Sequence, residues 1–169
     1  MKNSEKMLIL NTGGTFNKSY NQLNGKLEIL QNNEKIEKIV KTFRHNVNVD
    51  IKGIIYKDSL ELDTKDRQEI AKIIQDYEKV LIIHGTDTMN ITAEFLAEEQ
   101  NLKNKCLVLT GAMIPFSFSE LEACANFCLG FGFLSTSLEK GIFISMHGLV
   151  KNHKNIIKNK SLGKFECQE

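Results

Sequence analysis

The sequence predicts an α/β protein, an open and mostly parallel sheet with helices on both faces. Two observations carry that expectation. Short apolar runs alternate with segments of helical spacing, in the repeated order strand, helix, strand, helix, which implies parallel strands joined by covering helices. Three of the runs end in small and hydroxylated residues: Thr12-Gly13-Gly14-Thr15, His84-Gly85-Thr86-Asp87-Thr88 and Thr110-Gly111-Ala112-Met113. Ligands of open parallel sheets bind beyond the carboxyl ends of the strands, so these ends are where function is expected.

The elements follow in order. Lys6–Leu10 reads as a buried strand. Tyr20–Ile29 reads as a hairpin-like excursion with Asn24-Gly25 as its turn signal. Glu34–Phe43 is helical, with Ile36, Ile39, Val40 and Phe43 spaced i, i+3, i+4, i+7. Val47–Tyr56 is β-rich. Thr64–Tyr77 repeats the helical spacing through Ile70, Ile73, Ile74 and Tyr77, with Asp63 as its N-cap. Val80–Ile83 is a strand, Thr88–Glu99 a helix, Cys106–Leu109 a strand, Glu120–Leu134 a helix and Gly141–Met146 a last strand. From Val150 to Glu169 the chain is polar and lysine-rich and shows no clear pattern.

A chain of 169 residues suggests one domain spanning 1–169. That length buries enough surface to fold without a disulfide or metal staple. The formal charge of +1 gives no reason to expect a nucleic-acid or membrane partner. Cys106, Cys124, Cys128 and Cys167 form no CxxC pair or zinc-like cluster, so no metal is expected. No run is long enough to span a bilayer. The start MKNSEKMLIL enters the first strand without a cleavage site and does not read as a leader. A reducing cytoplasm fits these features.

Residue chemistry leaves alternatives open. Thr12-Gly13-Gly14-Thr15 is a turn, or a hydroxyl presented at a sheet edge with free amides beside it. It lacks the spacing and lysine of a phosphate loop. Asp87 or Thr88 could cap the next helix, yet a cap needs only one of them. Thr86 beside Asp87 places a hydroxyl next to a carboxylate that could hold a substrate ammonium. His84 packs or bonds at its strand end rather than acting as a base. Asp58-Ser59 follows another strand, as a solvated turn or as ligand contacts. Lys158 stands among Lys151, Lys154, Lys160 and Lys164, for each of which a solvated amine is the default. Tyr20 could act through its phenol or merely pack.

Taken together and in this order, TGGT, DS, HGTDTM and GAMIP resemble the bacterial-type asparaginase family, including its glutaminase-asparaginases. The resemblance runs over nearly the whole chain. It implies an asparaginase N-terminal domain-like fold in a short, single-domain form lacking the C-terminal domain of longer members. It implies an L-asparagine amidohydrolase that forms a threonine acyl-enzyme, with possible weak glutaminase activity and no cofactor. Thr15 falls on the nucleophile and Tyr20 on the tyrosine that assists it. Thr86, Asp87 and Lys158 fall on the threonine–aspartate–lysine set. Ser59, with Asp58 beside it, falls on the serine that binds the substrate carboxylate; Gly14, Gly85 and Ala112 complete the expected substrate contacts. Ile114 stands where longer members commonly carry arginine. A homo-oligomer, dimer or tetramer, is expected, with the apolar helix around Cys124–Leu134 as one contact. The competing readings are a non-catalytic amino-acid amide sensor and an asparaginase-like subunit of an amidotransferase.

Overall fold

The computed structural model describes residues 6–168; the N-terminal residues read above as no leader lie largely outside them. The central sheet contains β1 (Met7–Gly13), β4 (Val49–Lys57), β5 (Lys79–Ile83), β6 (Cys106–Thr110), β7 (Gly141–Met146) and β8 (Leu149–Asn152). Its order is β4-β1-β5-β6-β7-β8, parallel throughout except for the antiparallel β7–β8 pair. Two hairpins stand apart from it: β2 (Lys18–Asn21) with β3 (Lys26–Ile29), and β9 (Ile156–Asn159) with β10 (Lys164–Cys167). The expected α/β class with a mostly parallel sheet is what the chain adopts.

Strand alternation divides the core. Leu8, Leu10, Val80, Ile82, Leu107 and Leu109 face one side, against α2 (Thr64–Ile74) and α3 (Met89–Glu98). Met7, Ile9, Leu81, Ile83 and Val108 face the other, against α1 (Glu34–Thr42) and α4 (Glu120–Thr136). Successive side chains of a strand point to opposite faces, so runs apolar at every position need helices on both. Asp63 caps α2 as expected, in a reciprocal capping box with Asp66.

The order of the strands fixes where a ligand can sit. The chain leaves β1 for β4 on one side, then returns past β1 to β5 on the other. The crevice between β1 and β5 is therefore the topological switch point. The crossovers to β4, β5 and β6 share one hand. The β6–α4–β7 crossover moves in the same direction as β5–α3–β6 but on the opposite face, so its hand is opposite. Right-handed crossovers are the near-universal rule, which makes this one left-handed. As a result the segment after β6 passes across the strand ends, and Phe116 reaches Phe16 with ring centroids 5.8 Å apart.

Two differences from the sequence reading have physical causes. Hairpin pairing starts at Lys18, not Tyr20, because Lys18 pairs with Ile29. The patternless tail forms β8, β9 and β10: short strands half in solvent bury few residues, here Ile156 and Phe165, and leave no periodic signal.

Helix α4 tests the packing. A methyl at Gly130 would meet Leu81, Val108 and Ser145 at 3.0–3.1 Å, whereas Gly132 faces open space. Gly130→Leu should cost about 1–3 kcal/mol through overpacking. Gly132→Ala should gain about 0.5–1 kcal/mol from helix propensity. Urea unfolding of the two variants checks both signs.

Candidate active site

The site begins with backbone packed on backbone. A bulge opens the β1–β4 ladder: Asn11 pairs with Gly53 but Gly13 pairs with Lys57, so β4 carries two extra residues. Ile55 and Tyr56 take positive φ of 70° and 51° inside it, a strained conformation for a β-branched residue. The bulge carries Lys57 to the loop after β1, where its carbonyl accepts from Gly14 N–H at 3.0 Å. Gly14 has φ 71°, and a methyl there would lie 2.5 Å from Gly85 Cα and N. A methyl on Gly85 would lie 2.7 Å from Ser59 Cβ and Oγ. Three strand-end segments thus meet where only glycine allows it.

The two threonines of the first loop have different tasks. Thr12 is buried and donates its hydroxyl to the Ile83 carbonyl at 2.8 Å, which ties β1 to β5. Thr15 opens a short 3-10 helix after Gly14, is partly exposed, and has no side-chain hydrogen bond among the described residues. Phe16, fully buried in the core, anchors it from beneath.

Asp58-Ser59 arrives beside this loop. Asp58 binds the Lys18 ammonium at 2.7 Å and accepts from Leu60 N–H at 3.2 Å. Burial pushes the Asp58 carboxyl up, but Lys18, the Leu60 N–H and the charge of Lys158 outweigh it and hold it below its ordinary value. Ser59 is buried, with its carbonyl accepting the Thr88 hydroxyl at 2.7 Å. Its Oγ is an acceptor for Thr88 N–H at 3.4 Å and donates to no protein group among the described residues.

Beyond β5 the capping alternative left open by the sequence is answered. Neither Asp87 nor Thr88 caps α3 with its side chain. Thr88 is committed to Ser59, and Asp87 takes Lys158 at 2.6 Å. Lys158 also donates to Thr86 Oγ1 at 2.8 Å, and the Thr86 hydroxyl meets Met113 Sδ at 3.4 Å. Lys158 is 14% exposed at its side chain, while Lys151, Lys154, Lys160 and Lys164 are exposed. One lysine of the five is thus drawn into the switch-point cluster, by its place on β9.

A buried chain of hydrogen bonds sets the Gly85–Thr86 peptide. Arg67 Nε donates to Thr92 Oγ1 at 3.0 Å. Thr92 Oγ1 lies 2.8 Å from His84 Nε2, and His84 Nδ1 lies 2.7 Å from the Gly85 carbonyl. The carbonyl can only accept, so Nδ1 carries the proton and Nε2 accepts from Thr92. With its carbonyl turned to the imidazole, the trans peptide points the Thr86 N–H the opposite way. That N–H meets no protein acceptor among the described residues. Complete burial, helped by the Arg67 charge, pushes the His84 pKa down to about 4.

The remaining expected residues are placed as follows. Ala112 is buried in the loop after β6, beside Met113. Ile114 is exposed, and its N–H goes to Glu122 Oε2 at 2.9 Å. Tyr20 is not brought into the cluster: it pairs with Leu27 on the β2–β3 hairpin, is 54% exposed, and directs its hydroxyl toward the turn at Gly25. Sequence reasoning passed over Lys18, Arg67, Thr92, Glu122 and His147, since single polar residues inside helices, short strands and turns carry no spacing signal. Among the described residues no group of three His, Cys, Asp or Glu could hold a metal ion. A cavity of about 530 Å³ between α3 and β9 contains none of Thr15, Thr86 or Lys158 in its lining.

Fold and side chains define a class: an α/β protein with hydroxyls, an amine and a carboxylate gathered at its switch point. The chain belongs to the asparaginase family, whose N-terminal model matches residues 6–166. It is 38% identical over 64 residues to L-asparaginase 1 of Escherichia coli K12, an alignment covering 36% of this chain and 19% of that protein. The thermostable L-asparaginase from Thermococcus kodakarensis superposes with a TM-score of 0.81 at 25% identity, over 96% of this chain and 51% of that one. A probable cytoplasmic L-asparaginase from Campylobacter jejuni gives 0.78 at 24% identity, over 96% and 53%; this second likeness is one of fold. The chain spans about half the length of these two structures.

Two expectations follow. Gly14→Ala should lose the site's geometry, because a methyl cannot sit 2.5 Å from Gly85 backbone atoms at positive φ. Near-wild-type ligand affinity or turnover in that variant would contradict the packing. The second concerns acid. Between about pH 4 and 6.5 the unfolded chain protonates His84 and the folded chain does not, so acid favours unfolding. His84 should thus contribute a stability slope of about 1.4 kcal/mol per pH unit in that window, rising with pH and flat above it. Urea titrations at pH 5 and 7.5 should show this component in the wild type and its loss in His84→Gln.

Proposed function

We propose that this protein is an L-asparagine amidohydrolase, releasing aspartate and ammonia through an acyl-threonine. The observation that carries the proposal is Lys158 bound at once to Thr86 and Asp87, next to the Gly14–Gly85 contact. Family membership and the names of the relatives, all L-asparaginases, support the substrate class.

In this reading Thr15 Oγ1 attacks the side-chain amide carbon. A threonine hydroxyl is a weak nucleophile and must lose its proton as it attacks. Thr86, Lys158 and Asp87 form the relay that accepts it. Lys158 Nζ touches both of the others, so as a neutral amine it takes the proton that Thr86 passes on, and the Asp87 carboxylate holds the ammonium that results. The carbonyl oxygen becomes negative and needs donors already in place. The Thr86 N–H, aimed by the His84 chain, is one donor, and an amide of the Gly14–Thr15 loop is another. Ser59 donates its free hydroxyl proton to the substrate α-carboxylate. The Asp87 carboxylate takes the α-ammonium, with Asp58 beside it, while Ala112 lies along the amide end. Ammonia leaves with the returned proton, and water attacks the acyl-threonine to free aspartate. Glutamine, one methylene longer, is disfavoured by about 1–3 kcal/mol in such a pocket, which leaves a weak glutaminase activity. Activation by Tyr20 instead requires the β2–β3 hairpin to fold over the strand ends, and Tyr20→Phe tests that route.

We place this activity in the cytoplasm, in line with the four free thiols. No described helix is long and apolar enough to cross a membrane. A homo-oligomer is part of the proposal: Leu121 on α4 is 82% exposed, and sedimentation checks whether copies cover it.

Ammonia release from asparagine, with glutamine and D-asparagine as controls, is the first test; binding without turnover would favour a sensor instead. Thr15→Ala should abolish turnover in a folded protein, and Thr12→Ala should fall less. Lys158→Met should lose most of the activity while Lys154→Met and Lys160→Met retain it. Equal small losses at all three lysines would remove Lys158 from the relay.

A further inference from the structure

The β9–β10 hairpin delivers Lys158 but forms no ladder with the central sheet. Ile156 and Phe165 bury its inner face and set its gross position. Hydrophobic contact is non-directional, so it does not by itself set a lysine to within a hydrogen bond of two partners. A polar link supplies direction. Phe165, which pairs with Lys158 across the hairpin, donates its N–H to His147 Nδ1 at 3.1 Å. Nδ1 being the acceptor, the proton of the neutral ring sits on Nε2, which meets Glu122 Oε1 at 3.1 Å.

Glu122 continues the link. Oε1 accepts from Met113 N–H at 2.8 Å and Oε2 from Ile114 N–H at 2.9 Å. Asn126 Nδ2 lies 3.4 Å from Oε1 and bonds the Gly111 carbonyl at 3.0 Å. A carboxylate on two successive amides makes strong, directional, charge-assisted bonds. The loop after β6 has no ladder of its own there, so this clamp determines where Met113 lies. Met113 Sδ then touches the Thr86 hydroxyl that Lys158 holds from the other side. The contacts close into a ring: Thr86, Met113, Glu122, His147, Phe165, Lys158 and back to Thr86.

We infer that Glu122 and His147 are positioning residues that couple the Lys158 hairpin to the Met113 loop, so that Thr86 is held from both sides. The inference rests on the proposed amidohydrolase reading for its effect on turnover, and on hydrogen bonds alone for the coupling itself. Neither residue touches substrate in that reading.

Two variants weaken the same link from opposite ends. Glu122→Gln removes the carboxylate charge and leaves one accepting oxygen for three donors, the Met113 and Ile114 N–H groups and His147 Nε2. His147→Asn suits the positive φ of 51° at that position and can keep an acceptor for Phe165, losing only the donor to Glu122. Each should lower kcat for asparagine about tenfold, as a small misplacement of a reacting group does, with KM within about twofold. The double variant should be no worse than the poorer single, since one link is cut only once. Amide hydrogen exchange should quicken at Met113 and Ile114 in His147→Asn, and at residues 156–167 in Glu122→Gln. A folded Glu122→Gln with wild-type kcat would overturn the inference, as would losses that multiply in the double variant. Exchange that quickens only beside each mutation would also overturn it. Should Glu122→Gln not fold, His147→Asn and exchange at Met113 and Ile114 decide alone. If the wild type releases no ammonia, the amidohydrolase reading fails, while the exchange measurements still judge the coupling.

Discussion

The backbone of Gly14 touches that of Gly85 at the carboxyl end of the sheet, and the candidate site is built around that approach. A side chain on either residue would wedge β1 and β5 apart at their ends and separate the loops that carry Thr15, Thr86 and Ser59. Strands pack at a fixed spacing, so loops leaving adjacent parallel strands come no closer than their side chains allow. Glycine removes that limit at two places. The β4 bulge, with its positive-φ isoleucine and tyrosine, lengthens the third strand until Asp58-Ser59 reaches the same point. Strain in the bulge and the entropy cost of glycine are both offset by the core beneath, where every residue of β1 from Met7 to Leu10 is buried.

Around that contact most polar groups among the described residues are paired; Asn17 Oδ1, buried without a partner, is an exception. Thr12, Thr88, Thr92 and Thr110 each give their hydroxyl to a neighbour within the protein. Among the described residues Thr15 does not, the Ser59 proton is unused, and the Thr86 N–H has no protein acceptor. A buried donor without a partner is costly, and the unspent Ser59 and Thr86 donors are in keeping with the proposal that a substrate supplies their acceptors. His84 illustrates the supporting role. Its depressed pKa suits a neutral ring of fixed tautomer that holds a peptide plane, and removes it from acid–base chemistry near neutral pH.

The left-handed β6–α4–β7 crossover links fold and site. By taking the chain across the strand ends, it lays Ala112 and Met113 over the crevice and places the first turn of α4 under that loop, where Glu122 can take two of its amides. A right-handed connection would have sent the loop to the face that α3 covers. The lysine arrives from a separate hairpin, and the cluster is therefore assembled from five segments distant in sequence: those around Thr15, Ser59, Thr86, Met113 and Lys158.

What the sequence determined by itself was the part set by local pattern. Runs such as the apolar stretch Val80–Ile83 and the 3.6-residue spacing of Ile70, Ile73 and Ile74 specify strand and helix because burial on one face or both leaves a period. Glycine next to hydroxyls at three strand ends marked the crevice, since parallel strands bring their carboxyl ends to one edge. Tertiary structure decided the rest. By residue chemistry alone Thr12 and Thr15 look alike; the family resemblance favours Thr15, and the Ile83 carbonyl beneath Thr12 gives the physical difference between them. Lys158, which the same resemblance picks out, is chemically one of five similar lysines until β9 turns it toward Asp87. Glu122 and His147 had no signal at all, because their partners are backbone amides of other segments, and a hydrogen bond between residues far apart in the chain leaves no spacing to read.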